Sequence, residues 1–271
     1  MRYPIGLQSF DHLREEGYVY VDKTAMVYSL AHGSTVYFLG RPRRFGKSLL
    51  ISTFENYFLG KKELFKGLAI EKLETEWKTY PVFHIDFGTG SYANEDALNQ
   101  IFEFYLSGWE KKYQIEREPG VTDYNLRFKK VLEEAHRQTG LRAVVLVDEY
   151  DKPLLDVMDT GYMVEHLGEQ ITLEEKNRNM LRAFYSTFKG ADKHLQFVFL
   201  TGVTKFSQVS VFSDFNQPND ISMSPKYDTI CGITDEELEQ TFLQQIEELA
   251  AVYGYTGEKM RAVLKKRFDG Y

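Results

Sequence analysis

Between its first two apolar segments the chain reads Val36-Tyr37-Phe38-Leu39-Gly40-Arg41-Pro42-Arg43-Arg44-Phe45-Gly46-Lys47-Ser48. The four leading residues are apolar and β-favouring and stop at a glycine, the pattern of a buried strand running out into a loop. From Lys47 onward Leu50, Ile51, Phe54, Tyr57 and Phe58 recur at helical spacing, and Gly60 offers a C-terminal cap. Strand, loop and helix therefore follow in that order. A glycine-bearing turn that opens a helix on Lys-Ser brings backbone amides and the helix's positive end to one point, a cradle for phosphate oxygens. Lys47 is expected to reach the outer phosphates, the Ser48 hydroxyl to ligate magnesium, and Gly46 to permit close backbone approach. The candidate nucleotide cradle comprises Gly40, Arg41, Pro42, Arg43, Arg44, Phe45, Gly46, Lys47, Ser48 and Leu49. The usual spacing asks for a glycine at position 41, where this chain has Arg41 and sets Gly40 one place earlier. Because Gly-Lys-Ser is a common tripeptide at helix starts, the rest of the chain has to carry the argument.

Further strands are expected at Pro81 to Phe87, at Ala143 to Val147 and at Gln196 to Leu200, with helices between them marked by Leu98, Phe102 and Trp109, by Phe128 and Leu132, and by Leu181, Phe184 and Phe188. The run Ala143-Val144-Val145-Leu146-Val147 is unbroken, as in a strand covered on both faces. Alternating strands and helices imply a parallel sheet between helices, with ligands at the carboxyl ends of the strands. At such an end stand Asp148 and Glu149. Asp148 is expected to hold the metal and Glu149 to orient and activate the attacking water. A strand simply ending in acidic surface residues is the plainer alternative, but it leaves the phosphate loop unexplained. Thr201, ending the last strand, is expected to sense the terminal phosphate or capped water, against an ordinary strand-capping threonine. Lys205, Arg178 and Arg182 are candidate charge stabilisers or plain surface cations. Asp86 and Asp151 face the expected site rim, and His84, alternating with apolar neighbours, reads as a core histidine. No His/Cys cluster has zinc spacing, and no Gly-x-Ser-x-Gly elbow is present.

With 33 basic and 40 acidic residues the net charge is −7, so the chain as a whole is no electrostatic glove for nucleic acid. Arg41, Arg43, Arg44 and Lys47 still form a local basic lip, for phosphate or for nucleic acid. A 43% apolar composition argues for a globular chain, 271 residues for one large domain or one with an appendage, and the single Cys231 for a reducing compartment, with cytoplasm as the expectation. No apolar run approaches the roughly 20 residues a bilayer requires, so no membrane partner is expected. A capping box at Thr234 to Glu237 and a helix near Lys259 to Phe268 suggest a domain over 1–232 and a helical lid over 233–271. The ending Asp269-Gly270-Tyr271 resembles a turn more than a terminus, which suggests a piece of a longer protein.

Taken together, Pro4-Ile5-Gly6, Tyr20-Val21-Asp22-Lys23-Thr24, Arg41 to Ser48, Asp148-Glu149-Tyr150-Asp151-Lys152-Pro153, Thr201-Gly202-Val203-Thr204-Lys205 and Cys231-Gly232-Ile233-Thr234 make the chain similar to the predicted AAA-ATPase-like family, within the additional-strand, catalytic-glutamate class of P-loop NTPases. The resemblance implies a three-layer α/β sandwich with a mainly parallel sheet ordered 5-1-4-3-2, ATP and Mg2+ as cofactors, a helical lid, tolerance of the substituted glycine, and a downstream restriction-endonuclease-like region as partner. The leading expectation is a Mg-dependent ATPase that cleaves the β–γ phosphoanhydride bond. A slow nucleotide-gated switch for a partner domain stands second, a DNA-dependent motor third, and a small-molecule kinase is disfavoured by the adjacent Glu149.

Overall fold

The computed structural model describes residues 2–117, 120–166, 168–203 and 218–268. The main sheet holds β1 (Val36–Gly40), β2 (Val82–Asp86), β3 (Ala143–Asp148), β6 (Leu195–Gly202) and β7 (Asn219–Asp220), in the order β2-β3-β6-β1-β7. Its neighbouring strands all run parallel. Two further strands, β4 (Met163–His166) and β5 (Glu169–Thr172), form a separate antiparallel hairpin that the sequence reading did not foresee. Because this hairpin takes two numbers in chain order, the labels differ from the expected 5-1-4-3-2; counted over the main sheet's strands alone, the order from the β7 edge does read 5-1-4-3-2.

Parallel pairing requires each connection to cross back over a face, and the crossovers cover both faces. On one face α4 (Ala97–Lys112), α5 (Tyr124–Thr139) and α7 (Leu173–Gly190) bury Phe102, Phe128 and Phe184 against Ile85, Val145 and Val198. The stacked rings of Phe128 and Phe184, with centroids 5.0 Å apart, sit in this layer. On the other face α2 (Thr24–Ala31) and α3 (Lys47–Phe58) set Val27, Ile51 and Phe54 against Leu39, Leu146 and Phe199. All six residues of β3 are buried, as the unbroken apolar run requires. β2 instead alternates, burying Phe83 and Ile85 and leaving His84 and Asp86 half-buried.

The register decides where chemistry can occur. Gly40 pairs with Gly202, Asp86 with Asp148, and Val147 with Leu200, so the ends of β1, β2, β3 and β6 share one edge. Beyond the sheet, α8 (Asp235–Tyr253) and α9 (Gly257–Phe268) pair around their own small core of Ile246, Ala250 and Met260. Thr234 and Glu237 cap α8 reciprocally, so the capping box stands as read. Among the described residues no helix is long and apolar enough to cross a membrane. Thr204, Lys205 and the Asp269-Gly270-Tyr271 ending lie outside the described residues.

Candidate functional site

α3 begins at Lys47 with Gly46 as its N-cap, in the left-handed region at φ 82°, and no side chain caps the first turn. A glycine adopts that backbone at little cost, and the uncapped amides of the first turn are donors awaiting an acceptor. Lys47 is 5% exposed, and its ammonium donates to the carbonyls of Arg41 and Pro42, 3.0 Å each. The ammonium is thereby folded into the concavity of its own loop. Burial lowers its pKa, and the negative charges of Asp148 and Glu149 oppose that fall. Lysine and acid pair therefore meet at one site.

Opposite the loop, Asp148 is 3% exposed, and its Oδ1 accepts the Thr201 hydroxyl at 2.5 Å and the Glu149 amide at 3.0 Å. One carboxylate oxygen is thus fixed by two donors, which aims the other. Thr201 is fully buried, and its hydroxyl donates to the Asp148 carboxylate. Glu149 stands at φ 51°, a strained backbone for a non-glycine residue that costs about 1–3 kcal/mol and clusters at functional positions. Its carboxyl pKa is raised by burial and by the neighbouring charges of Asp148 and Asp86. The Gly88 Cα packs beside both carboxylates: a Cβ there would stand 2.9 Å from Asp86 Oδ1 and 3.1 Å from Glu149 Oε2.

Two cavities of about 360 Å³ each flank the loop. A polar one joins Ser48 and Asp148 to Asp86, His84, Ser52 and Glu55. Here His84 departs from expectation. It is no core histidine, because the β2 alternation turns it to the cleft, where its Nδ1 lies 3.1 Å from Glu55. The Glu55 carboxylate outweighs burial and raises the His84 pKa. The second cavity is apolar and runs from Arg44, Phe45 and Gly46 to Tyr20, Val21 and Ile230. It drew no notice in sequence because its walls come from three distant segments, including Cys231, Ile233 and Phe242.

The candidate cradle residues part company. Arg41 donates its backbone amide to Gly202 O at 3.1 Å, and its guanidinium to Ser222 O and, at 3.3 Å, to Asp228 O. Its side chain therefore clasps the segment after β7. Arg43 and Arg44 are exposed and form no hydrogen bond or ion pair among the described residues. Arg178 pairs with Glu174 one turn back on α7, and Arg182 is an exposed, partnered residue of the same helix. Asp151 is buried and accepts the Val203 amide at 3.0 Å, which holds the end of β6 in place. Lys23 is buried at the apolar cavity and ion-paired to Glu237 of α8.

A family model described as "Predicted AAA-ATPase" matches residues 4–212. The chain belongs to this predicted AAA-ATPase family. Membership points to a nucleotide-binding ATPase, and the matched span includes the loop, Asp148, Glu149 and Thr201. The chain is also 38% identical over 267 residues to an uncharacterized protein in the vnfD 5' region of Azotobacter chroococcum mcd 1. That match covers 94% of this chain and 49% of the relative, so the chain spans about half the relative's length. No solved structure matches the chain significantly.

Proposed function

We propose that the chain is a Mg-dependent ATPase built on a P-loop, with the catalytic domain over residues 1–232 and the helices from 233 onward as its lid. The observation that carries this reading is the single polar cleft, at the edge where the strands end, that Ser48 at the start of α3 shares with Asp148 at the end of β3. The amides of Gly46, Lys47 and Ser48 would hold the phosphates, and Lys47 would exchange its two loop carbonyls for phosphate oxygens. The base would enter the apolar cavity beside Tyr20, Val21 and Cys231.

The donor set suits magnesium: Ser48 offers a hydroxyl and Asp148 its second carboxylate oxygen, both lining one cleft and both hard oxygens. When bound, the ion would neutralise phosphate charge and help order the terminal phosphates. Thr201 holds Asp148 in its rotamer. Glu149, with its raised pKa, is suited to take a proton from water as that water's oxygen bonds to the γ-phosphorus. The bond from that phosphorus to the bridging oxygen breaks, ADP departs with the electron pair, and the proton passes from Glu149 to solvent.

A slow nucleotide-gated switch is the second reading. It is favoured by the cavity walls, which join Tyr20 and Phe45 on one side to Ile233 and Phe242 at the lid, so that base binding would bridge both. Lys47→Ala should lose nucleotide binding, whereas Glu149→Gln should bind ATP and lose about 10²–10⁴ in turnover. Equilibrium ATP binding and phosphate release separate the two variants. A Glu149→Gln protein turning over at the wild-type rate removes the assigned base, and micromolar ATP binding with almost no turnover by the wild type favours the switch.

A further inference from the structure

A lysine side chain leaves water only where something inside the protein takes up its charge and its protons. Among the described residues Lys23, Lys47 and Lys176 are buried. Lys47 turns to the carbonyls of Arg41 and Pro42, and Lys176 donates to Glu95 O at 3.1 Å. Lys23 stands elsewhere. It is 7% exposed in the wall of the apolar cavity, and its ammonium, which carries three N–H donors, is paired with the Glu237 carboxylate and with no other group among the described residues. Two donors are left in an apolar surround. The low dielectric that strengthens a hydrogen bond also raises the cost of one left unmade, so these donors call for an acceptor. Thr53, in the same wall, already donates its hydroxyl to Leu49 O at 2.7 Å, and Arg44 is exposed.

Both ends of the ion pair are held. Asp22 Oδ1 accepts the Thr24 amide and hydroxyl at 2.8 and 2.6 Å, and its Oδ2 accepts the Ala69 amide at 2.7 Å, which pins the backbone on either side of Lys23 where α2 begins. Glu237 Oε2 accepts the Thr234 amide at 2.9 Å, while the Glu237 amide donates to the Thr234 hydroxyl at 3.1 Å. The carboxylate that aims the ammonium is thus itself fixed to the cap of α8. A donor placed before its acceptor arrives gives up little freedom on binding. Phe45 and Gly46 line the same cavity, so Lys23 and the phosphate loop face one space.

We propose that Lys23 is a base-recognition residue: with one proton held by Glu237, its ammonium donates another to an acceptor nitrogen in the ring of a purine lying in the apolar cavity. This rests on the ATPase reading above and on its placing of the base. The apolar walls supply contact area, and Lys23 supplies the choice among bases. A base that presents carbon where the acceptor should be leaves the buried donor unpaired and is rejected for that reason.

The test measures equilibrium binding of ATP, of its 1-deaza, 3-deaza and 7-deaza analogues, in each of which one ring nitrogen is replaced by C–H, and of inorganic tripolyphosphate, which has no base. One of the analogues should bind the wild type about 10- to 100-fold more weakly than ATP, the size of a hydrogen bond to a charged group. Lys23→Met should weaken ATP by a similar factor, keep tripolyphosphate within about twofold of the wild type, and bind that analogue no worse than ATP, because both changes remove the same contact. Turnover at saturating ATP should stay within about threefold of the wild type, since the contact is made equally before and during bond cleavage. If leaving Glu237 unpaired unfolds Lys23→Met, the double variant Lys23→Met, Glu237→Gln takes its place, and the analogues test the contact on the wild type with no substitution at all. Equal binding of ATP and all three analogues by the wild type overturns the assignment. So does a Lys23 variant that ranks the analogues as the wild type does, or one that loses tripolyphosphate in step with ATP. Each of these leaves the ATPase reading standing, whereas a wild type that binds neither ATP nor tripolyphosphate overturns both.

Discussion

Gly202 shows how little room the site leaves at the scale of a single residue. A Cβ placed there would overlap the Tyr150 ring and stand 2.9 Å from Asp151 Oδ1. Tyr150 is fully buried and its amide donates to Thr201 O at 2.9 Å, so the ring cannot withdraw without disturbing the Asp148 and Thr201 contact. Gly202→Ala should therefore cost about 1–3 kcal/mol by overpacking, read as a lower urea midpoint, and should also lower turnover. An alanine protein of unchanged midpoint would show that the Tyr150 packing is loose. Residue by residue, Lys47, Asp148, Glu149 and Thr201 were legible in sequence because each stands at the end of a strongly patterned element. The direction of the Arg41 side chain was not, because it depends on carbonyls of residues 222 and 228 that only the fold brings near.

Among the elements, α4 and α5 are bound by a charge network. Arg127 is buried and holds Glu110 and Glu103 at 2.7 and 2.6 Å, while Arg117 pairs with the same two carboxylates. The hydrogen bond from Arg127 leads in drawing Glu103 down to about 2, with Ser107 and Arg117 assisting against burial. Burial alone would raise Glu110, and the Arg127 and Arg117 bonds outweigh it. A carboxylate depressed below its ordinary value of 4.5 contributes stability that is complete above that pH and is lost as pH falls towards its folded value. The urea midpoint should accordingly fall between about pH 4.5 and 2. In Glu103→Gln the fall should be shallower; an identical slope would mean that this half-exposed pair is screened to insignificance. The elements of the main sheet were readable where apolar runs were long, as in β3. The β4–β5 hairpin escaped because its strands are short and bury only Val164, so alternation had little to report. β7 escaped because Asn219-Asp220 has no strand-forming character. Its place comes from Ser222, whose hydroxyl accepts the Gly40 amide at 2.7 Å, and from the Arg41 clasp.

For the molecule as a whole, the class was written in the alternation of elements, and the register then carried distant residues to one edge. What no local pattern announced was the apolar cavity, which exists only because the N-terminal segment, the loop and the entry to α8 meet across the sheet's edge. Its wall contains Cys231, the chain's one sulfhydryl, half-buried and pushed up to about 11 by burial. At pH 8 only about one thiol in a thousand is ionised, so carbamidomethylation by iodoacetamide should be slow, and slower still with ADP present. Mass measurement of the adduct over time reads this directly, and equal labelling with and without ADP would place the base elsewhere. The protein thus comes with an internal footprinting tag: occupancy of its interior can be followed on the unaltered chain, with no dye and no engineered handle.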